Sequence, residues 1–238
     1  MAAKTKSLIN TALVLVTAAA LLINCTGASS SKIIVSPDHK KHTLINASLA
    51  LVIQDEKPKV IYHGSVRKAL GTGDTETLVR QFFQRGLLSG LSEEVDVNEV
   101  FMPSFIPKYL VTKEVVDHAD EAVTVEIPMN GTKLELSSAR TDLVLFLSGI
   151  RIGTETDQYY HSRVDHGINV RVGRHLIYIS SFVLWDNRTQ NFISYGRVKS
   201  RVPIRGEEAV ISEWEEVSKQ FIRAIFEPAG FLKRTKRR

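Results

Sequence analysis

The sequence predicts an α+β fold: two α/β layers in which a mostly antiparallel sheet carries two main helices, at about 75–91 and 212–227, packed on one face. Three patterns predict it. Leu78, Val79, Phe82, Phe83 and Leu87, and later Trp214, Val217, Phe221, Ile222 and Ile225, recur at helical spacing, which gives each helix one apolar stripe. Val123–Ile127 and Lys133–Leu136 alternate apolar and polar residues around Asn130-Gly131, the pattern of a hairpin with a tight type I′ turn. Asp142–Leu147 is nearly all apolar, as a central strand buried on both faces must be.

In chain order, Leu44–Ile53 reads as a strand, Asp55–Pro58 as a turn and Val60–Val66 as its hairpin partner. Leu70–Gly73 breaks the pattern, and Asp74 or Thr75 can cap the first helix by accepting from its free N–H groups. Each large side chain that this helix buries stabilises the core by about 1.5–3 kcal/mol. Val95–Phe101 is a short strand. Pro103 and Pro107 deny a continuous helix in 103–120, the least patterned part of the chain. Residues 153–167, GTETDQYYHSRVDHG, read as a polar loop. Leu176–Trp185 and Phe192–Val202 then form a long hairpin around Asp186-Asn187-Arg188-Thr189. Ser212 and Glu215 have the spacing of a capping box, and Pro228 ends the last helix. Residues 44–227 contain no repeat and no linker, so one domain is expected.

Where the protein resides is written at its start. Lys4 and Lys6 form a basic head, Leu8–Ile23 an uncharged apolar run, and Cys25, the single cysteine, closes it. A basic head before an apolar run has the form of a secretory signal. As a helix, Leu8–Ile23 would span roughly 24 Å at about 1.5 Å per residue, short of the roughly 30 Å hydrocarbon core. A cleaved signal at 1–24 fits better than a permanent span. Leu22-Ile23-Asn24-Cys25 resembles the lipobox of bacterial lipoproteins, with Asn24 departing from the usual small residue. The resemblance implies lipid attachment at Cys25, cleavage just before it and residence in the cell envelope. The alternatives are a signal peptide with a coincidental cysteine and an uncleaved anchor. Acyl chains, at about 0.8 kcal/mol per buried methylene, anchor stably when two or more are present. Residues 25–43 then comprise the lipidated cysteine and a tether opening with TGASSSK. Thr26, which is not Asp, goes with outer-membrane sorting in the enterobacterial members of that group.

The full chain of 238 residues carries 31 Lys and Arg against 26 Asp and Glu. Its excess charge is local. Lys233, Arg234, Lys236, Arg237 and Arg238 lie in the tail, 228–238, and two further lysines lie in the leader. The remaining body is slightly acidic, which argues against nucleic acid as a partner. With one cysteine, no internal disulfide forms. The tail is a candidate contact for lipid phosphates or anionic envelope polymers, a solvated end being the simpler reading.

No catalytic set emerges. His161, Asp165 and His166 are zinc-type ligands, but their spacing matches no familiar site and a solvated loop is simpler. His39 and His42 carry as little weight. Gly71-Thr72-Gly73 precedes a helix N-terminus, a place for an anion, yet lacks the lysine of a phosphate loop. Gly-x-Ser-x-Gly is absent, and no metal or cofactor is implied. Trp185 and Tyr195 are expected to pack across their hairpin.

The blocks ASLALVIQD, VIYHGSV, TDLVLFLSGIRI and LIYISSFVLWDNRTQNFISYGRV, with the helices that follow, resemble α/β envelope lipoproteins such as the curli-secretion lipoprotein and relatives sharing the fold of the TolB N-terminal domain. The resemblance implies a non-catalytic assembly, secretion or scaffolding factor, anchored through lipid and contacting envelope proteins or further copies of itself. Two other classes stand as alternatives: a metal-dependent hydrolase using the 153–167 loop, and a periplasmic ligand carrier with a deep apolar cavity.

Overall fold

A computed structural model describes residues 30–39, 47–55, 58–61, 75–105, 108–118, 121–136, 141–163, 167–206 and 209–233. Its strands are β1 (Ser30–Val35), β2 (Ser48–Ile53), β3 (Lys59–Ile61), β4 (Glu99–Phe101), β5 (Val111–His118), β6 (Glu121–Pro128), β7 (Leu143–Arg163), β8 (Gly167–Asp186) and β9 (Asn191–Pro203); its helices are α1 (Thr75–Glu94) and α2 (Ile211–Phe226). Strands 1–4 and 7–9 form one sheet in the order β1-β9-β8-β7-β2-β4, with β3 also pairing β7, and β5-β6 is a separate ribbon.

This architecture corrects the predicted α+β class. Strand dominates, and the sheet is mixed instead of mostly antiparallel: β2 runs parallel to both β7 and β4, and β3 runs parallel to β7. The physical reason lies in α1. A strand followed by a helix and another strand crosses over and returns parallel, as β2 and β4 do. Over the described residues 47–53 and 59–61 the predicted hairpin of 44–53 with 60–66 does not form, because β2 and β3 follow one another along the same edge of β7; 44–46 and 62–66 lie outside the described residues. Between them Asp55 leaves the ladder and accepts from the amides of Gly149 and Ile150, at 3.1 and 2.6 Å. Those amides lie where the β7–β8 register shifts between Ser148 and Arg151.

The predicted hairpin over 123–136 is also corrected. The partner of β6 is β5, from the segment that showed no pattern. Thr132 N–H donates to the Met129 carbonyl at 3.0 Å, closing the Asn130-Gly131 turn. Only Gly131 has positive φ there, at 87°, whereas a type I′ turn needs it at both central residues. The turn therefore steers residues 132–136 out of the ribbon. Leu134 and Leu136 sink beneath it instead.

Leu143–Leu147 is buried throughout, because each face of this strand meets its own layer. Leu143, Leu145 and Leu147 join Val79, Phe83, Leu87 and Leu91 of α1 and Val217, Phe221 and Ile225 of α2 in one cluster. Val144 and Phe146 join Trp185, Tyr195, Val125 and Ile127 beneath the ribbon. The predicted capping box is shifted. The residue before α2 is Val210, which has no polar side chain; Glu213 accepts from the amides of Val210 and Arg205, at 3.1 and 2.9 Å.

The polar loop predicted at 153–167 is strand. Residues 153–163 continue β7, and β8 begins at Gly167. The last β9 partner of β8 is Pro203, opposite His175, and the last β3 partner of β7 is Gly153. The Ile204 amide still donates to the Arg174 carbonyl, at 2.8 Å, so among the described residues the ladder has two strands only from Asp157 and Gly173 outward to Arg163 and Gly167.

Candidate functional site

Strand alternation places Arg151, Glu155 and Asp157 of β7, Ile177 and His175 of β8, and Arg197, Lys199 and Arg201 of β9 on the ribbon's side of the sheet, past the end of the ribbon itself. These residues form a charged lattice. Glu121, at the start of β6, accepts from Arg151 through both oxygens, at 3.0 and 2.6 Å, and from Arg197 at 3.0 Å. The hydrogen bonds from Arg151, followed by the charge of Arg197, hold the Glu121 carboxyl below the usual carboxylate range. Arg197 is buried, and that burial pushes its guanidinium down from its ordinary value, against the pull of Glu121.

Farther along, Lys199 donates to Glu155 at 2.7 Å, and Arg201 pairs with Asp157. Both pairs reach from β9 to β7 over the intervening β8, on which Ile177 is buried. Each acid of the lattice has a cation as its partner. The arrangement welds three strands together; Glu155 accepts through one oxygen only, and its buried Oε2 has no hydrogen-bond partner among the described residues.

His175 lies 3.5 Å from Asp157, but burial first and Arg201 second push its imidazole below the ordinary value of 6.5. Burial shifts His118, at the end of β5, the same way. A lowered native value means that the unfolded chain takes up a proton the folded chain resists. The stability tied to these imidazoles is therefore present above about pH 6.5 and is lost as pH falls below it. His175→Gln is expected to flatten that loss, as urea unfolding midpoints measured across pH 5–7.5 will check.

Two concavities flank the lattice. A cleft of about 290 Å³ lies between Ser36–His39, the β8–β9 turn and Phe231. Its polar groups already close turns: the Asp186 carboxylate accepts from the Arg188 and Thr189 amides at 2.9 and 3.3 Å, and His39 Nε2 donates to the Ala229 carbonyl at 3.0 Å. A groove of about 410 Å³ runs between the ribbon and β9, past Glu114, Met129, Phe192 and Tyr195. Both are lined by mixed polar and apolar groups. At the groove end of the ribbon Leu110 and Met129 are exposed, the Met129 amide donating to the Leu110 carbonyl at 3.0 Å, and Val115 is exposed on the ribbon face turned away from the groove.

Of the site residues predicted from sequence, Cys25, Arg234, Lys236, Arg237 and Arg238 lie outside the described residues, as do His42, Gly71–Gly73, Asp165 and His166. Lys233 is described: its ammonium donates to the Ser92 carbonyl at 2.6 Å and its amide to the Glu94 carbonyl at 2.8 Å, at the end of α1. The backbone of His161 falls on β7 opposite Asn169. Among the described residues, no three His, Cys, Asp or Glu side chains stand close enough to hold a metal ion, and no helix is long and apolar enough to cross a membrane. Trp185 and Tyr195 share the ribbon-side cluster, but Trp185 faces Phe192 in register and Tyr195 faces Val183. The lattice escaped sequence reasoning. Its signal was there in the alternation of Arg197, Lys199 and Arg201 against Glu155 and Asp157, legible only once both segments are known to be strands of one sheet.

No protein-family model and no curated protein matches the chain. Among solved structures, it is similar to PelC of Paraburkholderia phytofirmans, seen as a dodecamer. That match has 10% identity and a TM-score of 0.32, covering 87% of this chain and all of that one. A point variant of the same dodecamer gives 10% identity and a TM-score of 0.33 over 86% of this chain and 98% of that one. A neuraminyllactose-binding hemagglutinin homolog from Helicobacter pylori gives 14% identity and a TM-score of 0.32 over 81% of this chain and 88% of that one.

Proposed function

We propose that this chain is a lipid-anchored protein of the bacterial cell envelope that acts without catalysis, as an assembly, secretion or scaffolding factor working through protein contacts. The observation that carries the reading is the N-terminal segment: a basic head, an apolar run too short to span, and the single cysteine at its end. The charged lattice supports the non-catalytic part, since its acids are engaged as acceptors for arginine and lysine. The exposed Leu110 and Met129, at the groove end of the ribbon, supply an apolar surface for a neighbour, an envelope protein or a second copy. Thr26 after the cysteine favours the outer membrane.

The test is mass spectrometry of the protein extracted from native membranes. An N-terminal Cys25 carrying diacylglycerol is expected, and Cys25→Ser is expected to block signal cleavage and leave the leader attached. An unmodified chain beginning at Met1 overturns the anchoring.

A further inference from the structure

We propose that the groove between the ribbon and β9 seats an arginine side chain carried by an extended segment of a partner protein, which docks along the free edge of β5. The inference rests on the protein-contact part of the function proposed above and names the surface and chemistry of that contact.

Charge singles out the place. Each acid of the lattice has a cation as its partner, and on the outer face of the ribbon Glu126 pairs with Lys113 at 3.2 Å. Glu114 lines the groove and is exposed, and among the described residues it has no hydrogen bond and no ion pair. Phe192 and Tyr195 line the same groove, their ring centroids 5.3 Å apart at 77°. Glu114 lies near enough to act on Tyr195: burial first, and the Glu114 charge second, raise the tyrosine hydroxyl above its ordinary value. A carboxylate beside two aromatic rings attracts a cation twice, through its own charge and through the ring faces. Arginine suits the place better than lysine, because its planar guanidinium stacks on a ring while its fork of donors meets a carboxylate.

The free edge of the ribbon brings that cation in on a strand. The Met129 amide donates to the Leu110 carbonyl, so Leu110 and Met129 form a hydrogen-bonded pair. In an antiparallel ladder such pairs alternate with pairs whose amides and carbonyls point outward. Val111, Lys113 and Val115 therefore turn their backbone groups to the outer edge of β5, and among the described residues no strand pairs there. An unpaired edge is a template for an added strand, with backbone bonds giving affinity and alternate side chains giving specificity. A strand laid on this edge sends every second side chain to the Glu114 side. Apolar residues flanking the arginine meet Leu110 and Met129, which are exposed at the groove end.

The full protein, purified from native membranes in the non-ionic detergent dodecyl maltoside, is titrated with fluorescein-labelled Ser-Val-Thr-Arg-Thr-Val-Ser. A second peptide carries citrulline, the uncharged isostere, in place of arginine, and fluorescence anisotropy reads both affinities. The arginine peptide is expected to bind about tenfold more tightly. That preference is expected to vanish in Glu114→Gln and to persist in Glu126→Gln, whose carboxylate stands on the other face of the ribbon. Glu114→Arg is expected to reverse the choice, favouring a peptide with glutamate at the central position. Equal affinity for the arginine and citrulline peptides, an arginine preference that survives Glu114→Gln, or no binding at all overturns the proposal. So does N-acetylarginine methylamide binding as tightly as the peptide, which marks a small-cation site without a strand. Photo-crosslinking in native membranes from benzoylphenylalanine placed at Leu110 separates the failures. Without peptide binding, a crosslinked neighbour sinks the groove alone, whereas no crosslink sinks the protein-contact reading with it.

Discussion

Asn187→Ala is expected to destabilise the protein by about 3–5 kcal/mol, since it strands three buried backbone groups that each cost about 1–3 kcal/mol when left without a partner. Asn187 Oδ1 accepts from the Leu134 amide at 2.7 Å, and its Nδ2 donates to the Leu134 and Thr141 carbonyls at 2.9 and 3.0 Å. Leu134 and Thr141 are themselves buried, so water does not replace the lost amide. The Asn187 backbone amide, which donates to the Asp142 carbonyl at 2.9 Å, survives the change. The loss therefore falls on the segment that lies beneath the ribbon, while the β8–β9 turn keeps its Asp186 contacts. Asn187→Asp is a sharper probe. It keeps the acceptor but points a carboxylate at two carbonyl oxygens, so it should be no better than alanine. Chemical denaturation of both variants, with hydrogen exchange at the Leu134 amide, checks the magnitude and its location. A loss below about 1 kcal/mol, the net value of one ordinary hydrogen bond, would show that the segment holds without this bridge.

Gly196→Val is expected to detach β1 and cost about 3 kcal/mol, the upper end for forcing atoms into filled space. Gly196 lies opposite Ile33 in the β1–β9 ladder. A Cβ there would fall well inside van der Waals contact of the Lys32 carbonyl oxygen and stand 3.0 Å from Ile33 Cα. Both obstacles are backbone, so a rotamer change relieves neither. β1 feeds both cores, Ile33 packing on the helix side and Ile34 on the ribbon side, and its release loosens each. Hydrogen exchange should show the β1 amides exposed while those of β7 and β8 stay protected. Full protection of β1 in the variant would mean that the ladder shifts to accept the side chain.

The two positions differ in how far the sequence announced them. Asp186–Thr189 reads as a turn because Asp and Asn satisfy neighbouring backbone groups, and Asp186 does so, accepting from the amides two and three residues on. Asn187 looks like the same kind of residue, but its amide serves a segment some fifty residues earlier in the chain. Gly196 sits in an unbroken strand pattern, and nothing local marks the close approach of β1. The 153–167 stretch was misjudged for a related reason. Polar residues predominate along it, so the apolar alternation that marks a strand is missing.

By itself the sequence determined where the two helical stripes lie, that residues 143–147 are buried on both sides, and where the chain turns at Asn130-Gly131 and at Asp186–Thr189. These depend on forces acting within a few residues: side-chain periodicity, capping and backbone freedom. Only the tertiary structure decided which strands pair, that β2 and β3 run parallel to β7, that β5 and not 133–136 accompanies β6, and that Glu121 closes on Arg151 and Arg197. Those choices belong to residues tens to more than a hundred positions apart, whose complementarity in charge and shape has no expression along the chain until the sheet brings them together.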